Sequence, residues 1–160
     1  MRRIMHKSLI NSNGNWIAAA NHLIGDETAV AHAVIISVRG SAPRELGANM
    51  LISENQIWNT IGGGSLEFEV MEQARRLIKE IGLKVEGRNR KVLNLALGPD
   101  MGQCCGGTVK VLLEILSQAD INKLSKHSQK LVVLEHPLKS GASTEVLRTD
   151  DDKNFKPFLK

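Results

Sequence analysis

Residues 59–82 read NTIGGGSLEFEVMEQARRLIKEIG and predict a glycine turn followed by a long amphipathic helix. Apolar residues recur at helical spacing along this stretch, while charged residues fill the opposite face. The apolar positions are Leu66, Val70, Ala74, Leu77, Ile78 and Ile81. Gly82 is a natural end for the helix, because glycine readily adopts the conformation that follows a last turn. A helix of this length between two strands indicates a crossover, which typically joins a parallel pair.

Segments typical of strands lie on both sides of this helix. Ala29–Val38 is a nearly continuous apolar run rich in Val and Ile, as expected of a strand buried on both faces. Further strands are predicted at Met50–Ile52, Gln56–Ile61, Lys91–Leu97, Thr108–Leu116 and Leu131–Glu135, and further helices at Trp16–Ile24 and Asp120–Lys126. The predicted fold is α/β, with a mixed, partly parallel sheet, flanking helices and glycine-rich loops at the carboxyl ends of strands.

Composition and charge restrict the classes of function. The chain has 160 residues, 42% of them hydrophobic and 24% charged, which suits one domain of ordinary size. Aromatic residues make up only 3%, and the basic residues behind the net charge of +4 are scattered, so no nucleic-acid surface is expected. The charge favours a small anionic ligand instead. No signal-peptide core or stretch long enough to span a membrane is present in the sequence, so a cytoplasmic protein without a membrane partner is expected.

The sequence also predicts where the folded domain ends. Residues 1–137 carry all the predicted helices and strands, and they are expected to form the folded domain. Residues 138–160 are mostly polar, which is typical of a linker or a disordered tail.

Three glycine-rich loops each follow a predicted strand: RGSAPRELG at 39–47, IGGGSLE at 61–67 and GPDMGQCCGG at 98–107. Ligands of α/β sheets bind beyond the carboxyl ends of strands, so the three loops are expected to meet at one rim. In the first loop Arg44, and secondarily Arg39, offers a planar fork of donors for phosphate or carboxylate. A solvated surface arginine is the alternative.

The second loop has two interpretations. Its amides precede a helix and lack intrahelical partners, so those of Gly63 to Ser65 are expected to be open donors for an anion. The loop lacks the Gly-Lys-Ser/Thr of a Walker A motif, and Glu67 stands where a dinucleotide fingerprint needs its third glycine. An ordinary tight turn between strand and helix remains equally open.

The third loop holds the only two cysteines, Cys104 and Cys105, at adjacent positions. Adjacent cysteines do not provide the C-x-x-C spacing of a zinc site, and His127 and His136 do not complete one. A vicinal disulfide, an inert buried thiol and a reactive or ligand-contacting thiol are the other interpretations. The residues alone leave the inert and functional interpretations equal.

Taken together, VRGSAPRELGANMLIS (38–53), NTIGGGSLEFEV (59–70) and LGPDMGQCCGGTVKVLLE (97–114) resemble the XdhC/CoxI family. The resemblance covers roughly residues 31–115 and includes all three motifs in family order. The family consists of accessory proteins that mature molybdenum enzymes of the xanthine dehydrogenase type. It implies a non-enzymatic chaperone that binds the molybdenum cofactor (molybdopterin). Such a protein holds the cofactor while a cysteine desulfurase supplies the sulfido ligand, and then transfers it to the apo xanthine dehydrogenase-type enzyme.

The resemblance also implies a set of site residues, with Cys105 as the metal ligand. The cofactor-binding set is Arg44, Gly62, Gly63, Gly64, Ser65, Gln103, Cys104, Cys105, Gly106 and Gly107. The chemistry is consistent, because thiolate is a soft ligand suited to molybdenum. The phosphate of the pterin suits an arginine fork and a glycine-rich helix start. The side chains of Arg44 and Cys105 are therefore expected to point into the same rim.

Many family members continue into a Rossmann domain, and no Gly-x-Gly-x-x-Gly loop occurs before Lys160. The chain is therefore expected to carry the first domain alone. Two other functions remain open: a sulfur carrier that holds a persulfide on Cys105, and a non-catalytic interaction module for the target enzyme. A homodimer that completes the rim from two chains would satisfy the same expectations. His22, His32, His127 and His136 match no family motif and are interpreted as structural or solvated.

Overall fold

The computed structural model describes residues 5–10, 16–25, 27, 29–82, 90–98, 106–126, 132–137 and 145–149. The helices are α1 (Trp16–Ile24), α2 (Gly64–Gly82) and α3 (Gln118–Ser125). The strands are β1 (Met5–Ile10), β2 (Val30–Arg39), β3 (Asn49–Ile52), β4 (Ile57–Asn59), β5 (Arg90–Ala96), β6 (Thr108–Leu116), β7 (Val132–Pro137) and β8 (Glu145–Thr149). All three predicted helices and all six predicted strands are present in these ranges.

The main sheet has five strands in the order β4-β3-β2-β6-β5, and every pair in it is antiparallel. The mixed α/β class with flanking helices is confirmed, but the partly parallel sheet is wrong. Helix α2 does connect two strands that run in the same direction, β4 and β5. These strands lie at opposite edges of the sheet with three strands between them. The crossover through α2 therefore joins two strands of the same direction that are not neighbours in the sheet.

Alternating antiparallel pairing has a consequence for the loops. Since β3 and β6 flank β2 and run against it, strands β2, β4 and β5 all point the same way. Their carboxyl ends lie at the same end of the sheet. The loops that follow these three strands are the three glycine-rich loops of the sequence.

Helix α2 covers one face of the sheet. Its apolar residues Leu66, Val70, Ala74, Leu77 and Ile78 are buried against alternate residues of β2 and β6. Each large aliphatic side chain removed from water in this way stabilises the fold by about 1.5–3 kcal/mol. The packing of α2 holds the glycine turn at its start firmly against the sheet.

Helices α1 and α3 cover part of the opposite face. Trp16 and Leu23 of α1 and Leu124 of α3 pack on Val30 and Leu116, at the end of the sheet away from the glycine-rich loops. Ser117 caps the start of α3, where its hydroxyl accepts from the amide of Asp120 and the Asp120 carboxylate accepts from the amide of Ser117. This reciprocal pair satisfies two donors that a helix start leaves without intrahelical partners.

A buried polar row crosses this same face. Trp16 stacks on His32 with ring centroids 4.0 Å apart and planes inclined by 14°. His32 of β2 pairs in register with Glu114 of β6, which in turn pairs with Arg90 of β5. Glu114 and Arg90 form an ion pair whose side chains are almost fully buried. Of the two interpretations from the sequence, structural or solvated, the burial of His32 excludes the solvated one.

A second sheet contains three antiparallel strands in the order β1-β7-β8. Only β7 was expected from the sequence. Strand β8 lies within residues 138–160, the segment predicted as a linker or tail, and pairs with β7 from Val132 to Glu135. No helix among the described residues is long and apolar enough to cross a bilayer.

Candidate functional site

The first two glycine-rich loops are in contact at the end of the sheet. Gly62, in the turn before α2, has φ of +125°, and a Cβ added there would lie 2.5 Å from Cγ of Pro43. The same Cβ would lie 3.5 Å from Cγ of Arg44. Only a residue without a side chain allows the loop after β2 and the loop after β4 to approach this closely.

The first and third loops are in contact as well. A Cβ at Gly107 would overlap the carbonyl oxygen of Ser41 and lie 2.7 Å from that of Arg39. Ser41 and Gly106 also form an isolated parallel bridge. The described parts of the three loops therefore meet, as the sequence predicts. Residues 40–47, 60–64, 97–98 and 106–107 are called the rim below.

The loop that carries the cysteines is closed at its base by two backbone hydrogen bonds. The amide of Leu97 donates to the carbonyl of Gly107 at 2.7 Å, and the amide of Gly106 donates to the carbonyl of Leu97 at 2.6 Å. Gln103, Cys104 and Cys105 lie outside the described residues. The expected orientation of the Cys105 side chain toward Arg44 is therefore not tested, and the roles of all three residues stay predictions.

Arg44 lies at the rim with a half-buried side chain. Its Nε is 3.5 Å from Oε2 of the neighbouring Glu45, and 34% of its side chain is exposed. A backbone hydrogen bond, then a hydrogen bond from Arg44 and its charge, lower the pKa of Glu45. An ion pair this open to solvent is worth about 0–1 kcal/mol, so an incoming anion can displace Glu45 at small cost.

The glycine turn already holds an anion, the carboxylate of Glu67. Its Oε1 accepts from the amide of Ile61 at 2.9 Å and from the hydroxyl of Thr60. The Thr60 hydroxyl oxygen in turn accepts from the amide of Gly62 at 3.1 Å. Partial burial raises the pKa of Glu67. The hydrogen bonds from Thr60 and the backbone of residues 61–63 outweigh that effect and hold the pKa below its ordinary value.

The expectation of open donors in this turn is therefore wrong at Gly63, whose amide hydrogen-bonds to the Glu67 carboxylate. The turn is an anion cradle, but the anion belongs to the chain itself. The sequence shows Glu67 only as an acid in the first turn of a helix, which the helix dipole alone would explain. No standard capping motif joins residues 60 and 67, so nothing in the sequence reveals this contact.

No cluster of three or more His, Cys, Asp or Glu side chains suited to a metal ion occurs in the part of the chain that the structure describes. That part contains neither cysteine.

Comparisons with known proteins agree with the motifs. Residues 23–86 match the model of the XdhC and CoxI family. This segment, about two fifths of the chain, is what the sequence shares with the family. It contains the first two glycine-rich loops, with Arg44 and Glu67, and stops before the cysteine loop. The resemblance inferred from the sequence is thus confirmed.

One solved structure similar to this chain is a crystal structure described as a xanthine dehydrogenase from Bacillus halodurans. It has a TM-score of 0.54 and 28% sequence identity. The similarity covers 71% of this chain and 32% of that one, so the chain spans about a third of the other protein's length. A comparison with curated proteins finds no match.

Proposed function

We propose that the chain binds the molybdenum–pterin cofactor at the rim and assists its sulfuration and insertion into a xanthine dehydrogenase-type molybdenum hydroxylase. The family match at residues 23–86 and the similarity to a protein described as a xanthine dehydrogenase support a role with such an enzyme. The observation that carries the proposal is the meeting of three loops from distant parts of the chain at one end of the sheet. An accessory role needs binding and release, and no catalytic group is proposed.

The described residues fit part of such a cofactor. Arg44 is half-buried, faces the Gly62 turn and, among the described residues, forms a weak pair with Glu45, so it can bind a negatively charged group. Gly62 and Gly107 keep the loops packed together where a side chain would force them apart. The amides of the Gly62–Gly64 turn are less suitable, since the carboxylate of Glu67 would repel a phosphate there.

The cofactor, when bound, supplies the molybdenum centre that the cysteine desulfurase modifies. Cys105 is proposed as the soft thiolate that holds this centre, with Cys104 in a lesser role. Gln103, Gly106 and Gly107 would complete the backbone on that side of the cofactor. The task of the chain is to hold the cofactor in one orientation, exclude water from it and release it to the apoenzyme.

The direct test is the affinity of the purified chain for the cofactor under anaerobic conditions, measured by the change in cofactor absorbance. Cys105→Ala should weaken binding strongly with the thermal unfolding midpoint unchanged, and Cys104→Ala, the matched control, should weaken it less. Equal affinity of the wild type and Cys105→Ala would contradict the thiolate contact.

Two further measurements distinguish the alternatives. Mass spectrometry after incubation with a cysteine desulfurase and cysteine would reveal a sulfur atom added to Cys105, as a sulfur carrier requires. A chain that captures the apoenzyme but binds no cofactor would instead be an interaction module. Either result without cofactor binding would refute the proposed function.

A further inference from the structure

An open depression lies on the face of the sheet opposite α2, at the end where β2 and β5 run into the rim. It has a volume of about 260 Å³. Three strands line it. The polar lining residues are Ser37 and Arg39 of β2, Thr108 and Lys110 of β6, and Asn94 of β5, and Leu95, Ala96 and Val109 complete the lining. Arg39, Asn94, Thr108 and Lys110 are exposed, whereas α1 and α3 cover the other end of the same face.

A β-bulge creates this arrangement. Ile35 pairs with Val111 and Ser37 pairs with Lys110, so Ile36 is an extra residue in β2. Before the bulge, the odd-numbered residues Ala31, Ala33 and Ile35 face the α2 core. After it, Val38 packs against that core and Ser37 and Arg39 line the open face. Without the bulge Arg39 would point into the core, so the bulge directs a cation to this surface.

The strand register brings the two cations within reach of one ligand. Ser37 and Asn94 both pair with Lys110, while Arg39 and Ala96 pair with Thr108. Arg39 and Lys110 are therefore diagonal neighbours, whose Cα positions are about 7–8 Å apart in such a pair. Both side chains are long enough to close on a single tetrahedral anion, with three uncharged hydrogen-bonding groups beside it.

The charge of the depression is not balanced within the described chain. Neither Arg39 nor Lys110 forms an ion pair with a described residue, and no described acid lines the depression. Two cations on adjacent strands repel each other, and a bound anion removes that repulsion. The feature therefore favours a ligand that carries negative charge.

The size of the depression restricts what it can hold. Pockets for whole drug-sized ligands span about 300–1,000 Å³, so this one suits a charged group and its nearest atoms. At the same time, the glycine turn that would serve as a phosphate cradle is taken by Glu67. A phosphate-bearing ligand at the rim therefore needs another place for its phosphate, and the depression adjoins the rim through Arg39 and Thr108.

We propose that the depression is the phosphate subsite of the ligand bound at the rim, with Arg39 and Lys110 holding a phosphate monoester and Ser37, Asn94 and Thr108 donating hydrogen bonds to it. This inference rests on the cofactor-binding function proposed above, since it assigns the pterin phosphate to these residues. Arg44 then lies on the pterin side of the rim instead of at the phosphate.

The test compares two variants of equal net charge. Arg39→Gln/Lys110→Gln empties the depression of cations, and Arg76→Gln/Lys123→Gln removes the same charges from exposed positions on α2 and α3. The double variant in the depression should bind the cofactor at least about tenfold more weakly, as expected on loss of charge-assisted hydrogen bonds. The control should retain wild-type affinity. Equal affinity of both variants and the wild type would overturn the subsite and leave the proposed function standing.

Inorganic phosphate is the second probe. In two-dimensional NMR spectra of the full chain, it should shift the amides of Ser37, Asn94 and Lys110, and the shifts should vanish in Arg39→Gln/Lys110→Gln. Cofactor binding without any response of these amides to phosphate would refute the subsite alone. A phosphate response in a wild-type chain that does not bind the cofactor would refute the proposed function. It would support the depression as a site for a different phosphate monoester.

Discussion

Replacement of Gly62 by alanine tests whether the first two loops are truly locked together. Gly62 has φ of +125°, and an alanine there costs about 1–3 kcal/mol of backbone strain. The added Cβ would also lie 2.5 Å from Cγ and 2.7 Å from Cβ of Pro43. Relief of such an overlap by movement of the loop costs about 1–3 kcal/mol more. We therefore expect Gly62→Ala to lower the free energy of unfolding by about 2–6 kcal/mol.

The adjacent glycine provides a matched control. Gly63 has φ of +74°, but no atom lies within 4 Å of a Cβ built on it. Gly63→Ala should therefore cost only the strain of the left-handed conformation, about 1–2 kcal/mol. Urea unfolding of both variants gives the comparison, provided that the slopes agree. The cofactor affinity of Gly62→Ala should also fall, because the displaced loop carries Arg44.

A change at Pro43 separates the backbone strain of Gly62→Ala from its contact with the Pro43 ring. Pro43→Gly removes the ring that Gly62→Ala would strike, so the double variant should lose less stability than the sum of the two single losses. Equal destabilisation by Gly62→Ala and Gly63→Ala, with additive effects of Pro43→Gly, would refute the close contact between these loops.

Three other changes give sharp expectations. Arg44→Ala should weaken cofactor binding by about tenfold or more, and Arg44→Lys should recover only part of the loss, since lysine keeps the charge but lacks the planar fork; titration calorimetry measures both. Glu67→Gln should lower stability at neutral pH by about 1 kcal/mol, the net worth of an ordinary hydrogen bond. Because the folded pKa of Glu67 is lowered, the stabilising effect of its charge is present above its ordinary pKa and is lost as the pH falls through the folded value. Urea unfolding from neutral to acid pH should therefore show the two proteins converging in acid, and a constant difference would contradict the role of the carboxylate. Glu114→Ala should destabilise the chain by about 3–5 kcal/mol, because it leaves Arg90 charged and buried; Glu114→Leu/Arg90→Met should cost less, and thermal unfolding compares them.

The sequence was sufficient for the three helices and six of the eight described strands, and for the meeting of the described parts of the glycine-rich loops. The helical spacing of apolar residues in α2 and the apolar runs of β2 and β6 indicate which side chains are buried. Residues that face the core recur at the period of the helix or strand, so the pattern is visible in the sequence. The sheet order could not be obtained in this way. The length of α2 is compatible with joining adjacent strands or opposite edges, and only the packing of β2 against β6 decides between them.

Three features of the fold and the site could not be predicted from the sequence. The bulge at Ile36 reverses the faces of Ser37 and Arg39, yet the nearly continuous apolar run from Ala29 to Val38 gives no signal of it. The contact between Thr60 and Glu67 depends on how the glycine turn folds back, which no spacing rule describes. Strands β1 and β8 lie in stretches of mixed polarity, where alternation is too weak to predict a strand.

The order of the strands divides the main sheet into two locally connected parts. Strands β2, β3 and β4 follow one another in sequence and in space, and β5 and β6 form a hairpin of their own. Only the pairing of β2 with β6 joins the parts, and it links Arg39 to the distant Thr108. Such long-range pairings close large loops and form slowly. During synthesis, a chain that has not yet released β6 carries Arg44 and the glycine turn but lacks the contact of Gly107 with Ser41, so its rim is incomplete.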